Sequence, residues 1–112
     1  MEIYADDKGS ILAVTEPELL GYTSEELIGK KVEIIVPYKY REAHRRGLKR
    51  WSESGEAKVM GTWLLIEARH RDGDLVRMEL VLTQRMDNTG RRVVTANIKP
   101  VSDDDMFRLA PI

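Results

Sequence analysis

The chain has 112 residues, of which 42% are hydrophobic and 33% charged, with a net charge of −1. That length bounds it to one domain with a single core, and the near-balanced charge gives no global pull toward nucleic acid. It has no cysteine, which excludes disulfides, thiolate-ligated zinc or iron–sulfur, thiol catalysis and a sulfur-linked chromophore.

The opening MEIYADDKGS is acidic and lacks an apolar h-region, so no signal peptide is expected. No apolar run is long enough to span a bilayer, and a cytoplasmic location without membrane contact is the expectation. Residues 2–5 read as a short strand, Asp6-Asp7-Lys8-Gly9 as a turn, and residues 10–15 as the second strand of a hairpin. Residues 17–20 fit one helical turn, which Gly21-Tyr22 breaks.

Residues 21–51, GYTSEELIGKKVEIIVPYKYREAHRRGLKRW, read as two helices joined by an apolar link. Thr23 and Glu26 have the spacing of a capping box, and Gly29 offers a left-handed exit. Val32 to Val36 form the link, and Pro37 suits the first turn of a second helix spanning about 38–54. On that helix Tyr40, His44, Leu48 and Trp51 form one stripe, with Ala43 and Gly47 at its edge. Lys39, Glu42, Arg46, Lys49 and Glu53 fall on the solvated side, where Glu42 and Arg46 make an i,i+4 pair. His44 therefore sits in the middle of the stripe, beside a glycine that leaves room. Residues 39–50 hold six Lys or Arg against one Glu, a solvated helix face that also has the chemistry to attract an anion.

Beyond Gly55 a strand is expected from about Lys58 through VMGTWLLIEARHR, followed by an Asp72-Gly73 hairpin turn. In LVRMELVLTQRM, Val76, Met78, Leu80 and Leu82 share one face, with Arg77, Glu79 and Thr83 on the other. After the turn 87–90, Val94, Ala96 and Ile98 point inward, with Thr95, Asn97 and Lys99 outward. Trp63 and Leu65 belong to the exposed sheet face, and His70, in the hairpin turn, is expected in solvent. Two strands, a helical insert and three long antiparallel strands imply an α+β fold, one sheet with helices on one face. The inward rows face the His44 stripe, as a packed core or a pocket. The tail 102–112 starts as a helix capped by Ser102 and stopped at Pro111; its acidic run Asp103–Asp105 is a solvated cluster and no catalytic pair. Nothing in the sequence reads as an enzyme.

The order and wording of these segments resemble the PAS domain over residues 1–101. The resemblance rests on Asp7-Lys8-Gly9-Ser10-Ile11, GYTSEELIGK at 21–30, Pro37 after an apolar stretch, and HRDG at 70–73 before MELVL. It implies a five-stranded antiparallel sheet with helices packed on one face, and a sensory, signal-transduction role. The run VPYKYREAHRRGLKRW, with Gly61 and HRDG beyond it, is similar to the heme-binding oxygen-sensor PAS domains of histidine kinases and of a heme-regulated phosphodiesterase. That subgroup implies heme b, with His44 as the iron ligand and Arg50 near a propionate. Val59, Leu80 and Leu82 match its oxygen side, and Leu48, Ile66 and Met78 complete the implied pocket, although Met78 reads equally as core. The chain departs from the subgroup at Leu64, where an arginine would donate to bound oxygen, and at Thr62, where redox relatives carry a methionine ligand. Two readings follow. In one, the domain binds a small ligand and signals to a partner or output domain, such as a histidine kinase of a two-component system. In the other, it is a ligand-free protein-interaction module that forms a homodimer or docks through its sheet.

Overall fold

A computed structural model of the chain describes residues 1–57 and 59–101. The expected tail helix, with Ser102 and Pro111, lies outside the described residues. The strands are β1 Glu2–Asp6, β2 Ile11–Thr15, β3 Leu64–Arg69, β4 Leu75–Met86 and β5 Arg92–Pro100. Between β2 and β3 lie the helices α1 Ser24–Leu27 and α2 Arg41–Ser54, with 3-10 turns at Pro17–Leu20, Val32–Ile35 and Tyr38–Tyr40. The five strands form one sheet in the order β2-β1-β5-β4-β3, with every neighbouring pair antiparallel. The expected α+β architecture is met.

Period-2 alternation fixes which side chains meet the helices. Ile3 pairs with Ala96 and Ala96 with Leu82, while Leu80 pairs with both Ile98 and Leu64, and Met78 with Ile66. These rows form the inner face, and Ile3, Ile11, Leu20, Leu27 and Ile98 are its fully buried centre. In β2 the alternation slips. Tyr4 pairs with Ala13 but Ala5 with Ile11, so a bulge pushes Leu12 out to 50% exposure while Ile11 and Val14 both reach the core.

The capping box forms as the sequence implies: Glu26 N–H donates to Thr23 Oγ1 at 3.3 Å, and Thr23 N–H to Glu26 Oε1 at 3.0 Å. Gly29 does adopt a positive φ of 86°, but the helix has already ended at Leu27, with Ile28 extended between them. Pro37 caps the 3-10 turn from outside and is not a helical residue. Because Tyr38–Tyr40 wind as a 3-10 turn, their phase differs from that of α2. Tyr40 therefore leaves the stripe and is 47% exposed, whereas Trp51 at the far end is 3% exposed. The third strand begins at Leu64, later than expected. Gly61 has φ 76° and donates to Leu82 O at 2.8 Å, closing a turn that carries Val59 and Thr62. The Asp72-Gly73 turn is present inside a five-residue loop, with Arg69 paired to Leu75.

His70 corrects its expectation. Its side chain is 31% exposed and lies against Gly21, where an added Cβ would come 2.4 Å from His70 Cε1. Arg71 beside it donates its backbone N–H to Leu20 O and its guanidinium to Glu26, so the β3–β4 loop is docked on the start of α1. Gly21 also has φ 81°, a region that costs an L-residue about 1–2 kcal/mol. Gly21→Ala is expected to destabilise by about 1–3 kcal/mol in urea unfolding. In a His70→Ala background the same change should cost less, because only the backbone part remains. Equal costs in the two backgrounds would show that the imidazole contact contributes nothing.

Candidate functional site

The site centres on α2, whose two ends are held differently. At the end, Trp51 Nε1 donates to Gln84 Oε1, Gln84 Nε2 donates to Gly55 O at 3.2 Å, and Arg92 Nη1 donates to Ser52 O at 2.8 Å. These bonds tie the last turn to β4 and β5. At the start, Arg41 Nε donates to Val36 O at 3.0 Å, and Tyr38, Lys39, Tyr40, Glu42 and Ala43 are all exposed. Lys39 reaches round to Glu67 of edge strand β3 at 3.2 Å, an exposed pair of small energetic weight.

His44 lies between these ends, partly buried. Its Nδ1 is shielded from water and has no hydrogen-bond partner among the described residues. An unpartnered buried nitrogen costs about 1–3 kcal/mol, so the site retains the imidazole at an energetic disadvantage. Gly47 leaves open space beside it, since an added Cβ there would meet only Arg50 Nη2, at 4.0 Å. Burial pushes the imidazole below its ordinary value, opposed by the nearby Glu33 carboxylate. Glu33 is itself held low by the Arg45 guanidinium, whose Nη2 lies 3.1 Å from Glu33 Oε2. On the inner face of the sheet, Leu64, Ile66, Leu80 and Leu82 are only partly buried, and the last three pack on the core cluster. Met78 is 2% exposed and belongs to that cluster.

The remaining sequence candidates separate from this centre. Arg50 is exposed and lines a depression of about 590 Å3 with Ala43, Arg46, Lys49 and Glu53. Val59 sits in the turn before β3 and is 38% exposed. Leu48 faces the β1–β2 turn and approaches to 2.7 Å of where a Cβ at Gly9 would lie. It lines a groove of about 450 Å3 with Asp7, Lys8, Gly9, Lys31, Glu33, Arg45, Lys49 and Ser52. Sequence reasoning missed this groove and Glu33, because the residues come from three separated segments. It also missed Glu79, which points outward from the sheet yet is 7% exposed. Lys99 Nζ, 3.2 Å from Glu79 and 4.8 Å from the Trp63 ring centroid, covers it.

The depressed His44 value sets a sign. The native state binds fewer protons than the unfolded chain between the folded value and about 6.5, so stability rises with pH across that window. Stability from neutral His44 is complete above about pH 6.5 and is lost as pH falls toward the folded value. Urea midpoints measured from pH 5 to 7.5 should drop more steeply toward acid in the native chain than in His44→Leu. Parallel curves would place His44 in an environment that does not disfavour its charge.

No protein-family model matches the chain. A probable serine/threonine-protein kinase of Dictyostelium discoideum is 37% identical over 81 residues, covering 70% of this chain and 5% of that protein. The oxygen sensor protein DosP of Escherichia coli is 28% identical over 67 residues, covering 60% of this chain and 8% of that protein. The chain thus spans a small part of the curated relatives it matches. Among solved structures, the PAS domain of a protein from Desulfitobacterium hafniense aligns with a TM-score of 0.67 at 19% identity, covering 89% of this chain and 91% of that one. The PAS domain of an HTR-like protein from Haloarcula marismortui aligns with a TM-score of 0.65 at 21% identity, covering 88% and 83%. With its strand order, its helices gathered on one face and these structural neighbours, the chain has the PAS fold.

Proposed function

We propose that the chain is a sensory module of signal transduction that takes a small ligand on the inner side of α2. The ligand of this reading is heme b, held through His44, and the signal passes to a partner or a neighbouring domain. The observation that carries it is the imidazole nitrogen sealed from water without a partner, together with a partly open apolar wall on the inner face of the sheet. A neutral imidazole on a helix is a good axial ligand, and the depressed value of His44 keeps it neutral at pH 7. The donor and the walls fit the group: His44 supplies the donor and Leu64, Ile66, Leu80 and Leu82 supply apolar surface, while Arg50 and Arg46 lie in an exposed depression apart from them.

Heme supplies an iron whose coordination responds to redox state or to a diatomic gas. Leu64 offers no hydrogen-bond donor at that wall, which favours carbon monoxide, nitric oxide or redox state over oxygen as the signal. DosP, a relative by local sequence, is an oxygen sensor, and its resemblance supports a sensory role while Leu64 separates the gas preference. A second reading rests on the outer sheet face. Trp63 is 45% exposed there beside partly buried Leu65, which favours a ligand-free module that docks a partner or a second copy.

Heme titration of the purified chain, followed by visible absorption, separates the two. The heme reading expects a saturable Soret band that His44→Ala weakens or shifts, with far-ultraviolet circular dichroism unchanged. A spectrum no different from free heme at every ratio sinks it and leaves the interaction reading.

A further inference from the structure

A second site lies on the other side of α2, in the groove between the β1–β2 turn and the helix. Its lining carries four cationic side chains, Lys8, Lys31, Arg45 and Lys49, against two carboxylates, Asp7 and Glu33. Both carboxylates already have guanidinium partners. Arg91 Nη2 lies 2.9 Å from Asp7 Oδ1, and Arg45 holds Glu33 through both nitrogens. Among the described residues no carboxylate forms an ion pair with Lys8, Lys31 or Lys49. Lys8, Lys31 and Lys49 therefore line the groove with no ion-pair partner among the described residues.

The floor is built from fixed backbone. Asp6 Oδ1 accepts from the N–H groups of Lys8 and Ser10 at 2.9 and 3.0 Å, and Val32 N–H donates to Gly9 O at 2.8 Å. Lys31 Nζ donates one of its hydrogens to Lys8 O at 2.9 Å, which orients that ammonium and leaves two hydrogens for a ligand. Gly9 is buried and Leu48 packs onto it, so the turn and α2 are seated directly against one another. The cations thus come from three segments, the turn and the Lys31 segment joined by main-chain bonds and α2 seated on the turn through Leu48. A concave surface with an excess of one sign of charge concentrates counter-ions more than isolated surface charges do. Lysines act as point charges that suit phosphate oxygens without demanding a planar partner.

We propose that this groove binds a phosphate-rich anion, carried by a soluble phosphorylated small molecule. Its charge is what three unpaired ammonium groups in a volume of about 450 Å3 would neutralise. A phosphorylated lipid headgroup offers the same chemistry and is separated by experiment. The proposal does not depend on heme, and its test uses the heme-free chain.

The probe is inorganic pyrophosphate added to the labelled full chain, with sodium chloride at matched ionic strength as reference, read by the backbone amide shifts of Gly9, Val32 and Lys49. Saturable shifts confined to these segments are expected, weakening at least about tenfold in Lys31→Glu/Lys49→Glu and declining as salt rises. Both lysines are exposed, so the variant should keep the native circular dichroism; if it does not, Lys8→Gln/Lys49→Gln takes its place. Shifts no larger than those of sodium chloride, or saturation unchanged in the variant, overturn the site for soluble anions. A parallel flotation uses phosphatidylcholine vesicles with and without phosphatidylinositol bisphosphate. Lysine-dependent flotation only with the phosphoinositide, without a pyrophosphate response, reassigns the groove to a lipid headgroup. Failure in both arms removes it.

Discussion

The clamp at the end of α2 is the constraint on which the rest of the site depends. Trp51 is the only residue of the helix that is buried, at 3% exposure, and its indole N–H would be costly there without an acceptor. Gln84 provides that acceptor from near the end of a long strand and then spends its own N–H on Gly55 O. The same amide thus satisfies a buried donor and one of the orphan carbonyls at the helix end. Gly55, at φ 75°, lets the chain turn away, and Arg92 crowds the place where its Cβ would be, at 2.8 Å. The helix end is thus fixed to β4 and β5.

α2 is thus tied to the sheet at its end, while its start is held by Arg41 to Val36 O and by exposed ion pairs. His44 stands seven residues before Trp51, about 10 Å along the axis, where burial is partial, and the apolar wall of the sheet is incompletely covered. The fully buried side chains of the core come from the strands, from α1 and from the turns around it, none of them from the first half of α2. That half therefore contributes little to the core, whereas the far end is tied to the sheet through Trp51 and Gln84.

Much of this was legible in the sequence, and the parts that were not share a cause. The sheet alternation, the capping box and the hairpin punctuation are local patterns with periods of two to four residues, so Thr23, Glu26, Met78 and Ile98 could be placed directly. The misplacements arose where a local pattern met a change of phase. Tyr40 fits the stripe by counting in steps of four, but a 3-10 turn precedes α2 and rotates it into solvent. Val59 and Thr62 look like strand by composition, but Gly61 bends the chain. His70 reads as a turn residue, and only tertiary docking shows that it covers Gly21. Gly9 was read for its turn geometry, whereas the contact with Leu48 explains equally why no side chain fits there. The unpartnered state of His44 Nδ1 was beyond any pattern, because it depends on what other segments fail to supply.

The ion pair between Arg45 and Glu33 joins the two proposed sites. Glu33 acts on the His44 imidazole, opposing the effect of burial, while Arg45 faces the lysine groove. With side chains 62% and 24% exposed, the pair contributes little to stability on its own, so its value lies in orientation. Glu33 thus stands between the Arg45 guanidinium, which holds its carboxyl low, and the His44 imidazole, whose charge it favours against burial, so the two side chains of α2 are coupled through one carboxylate.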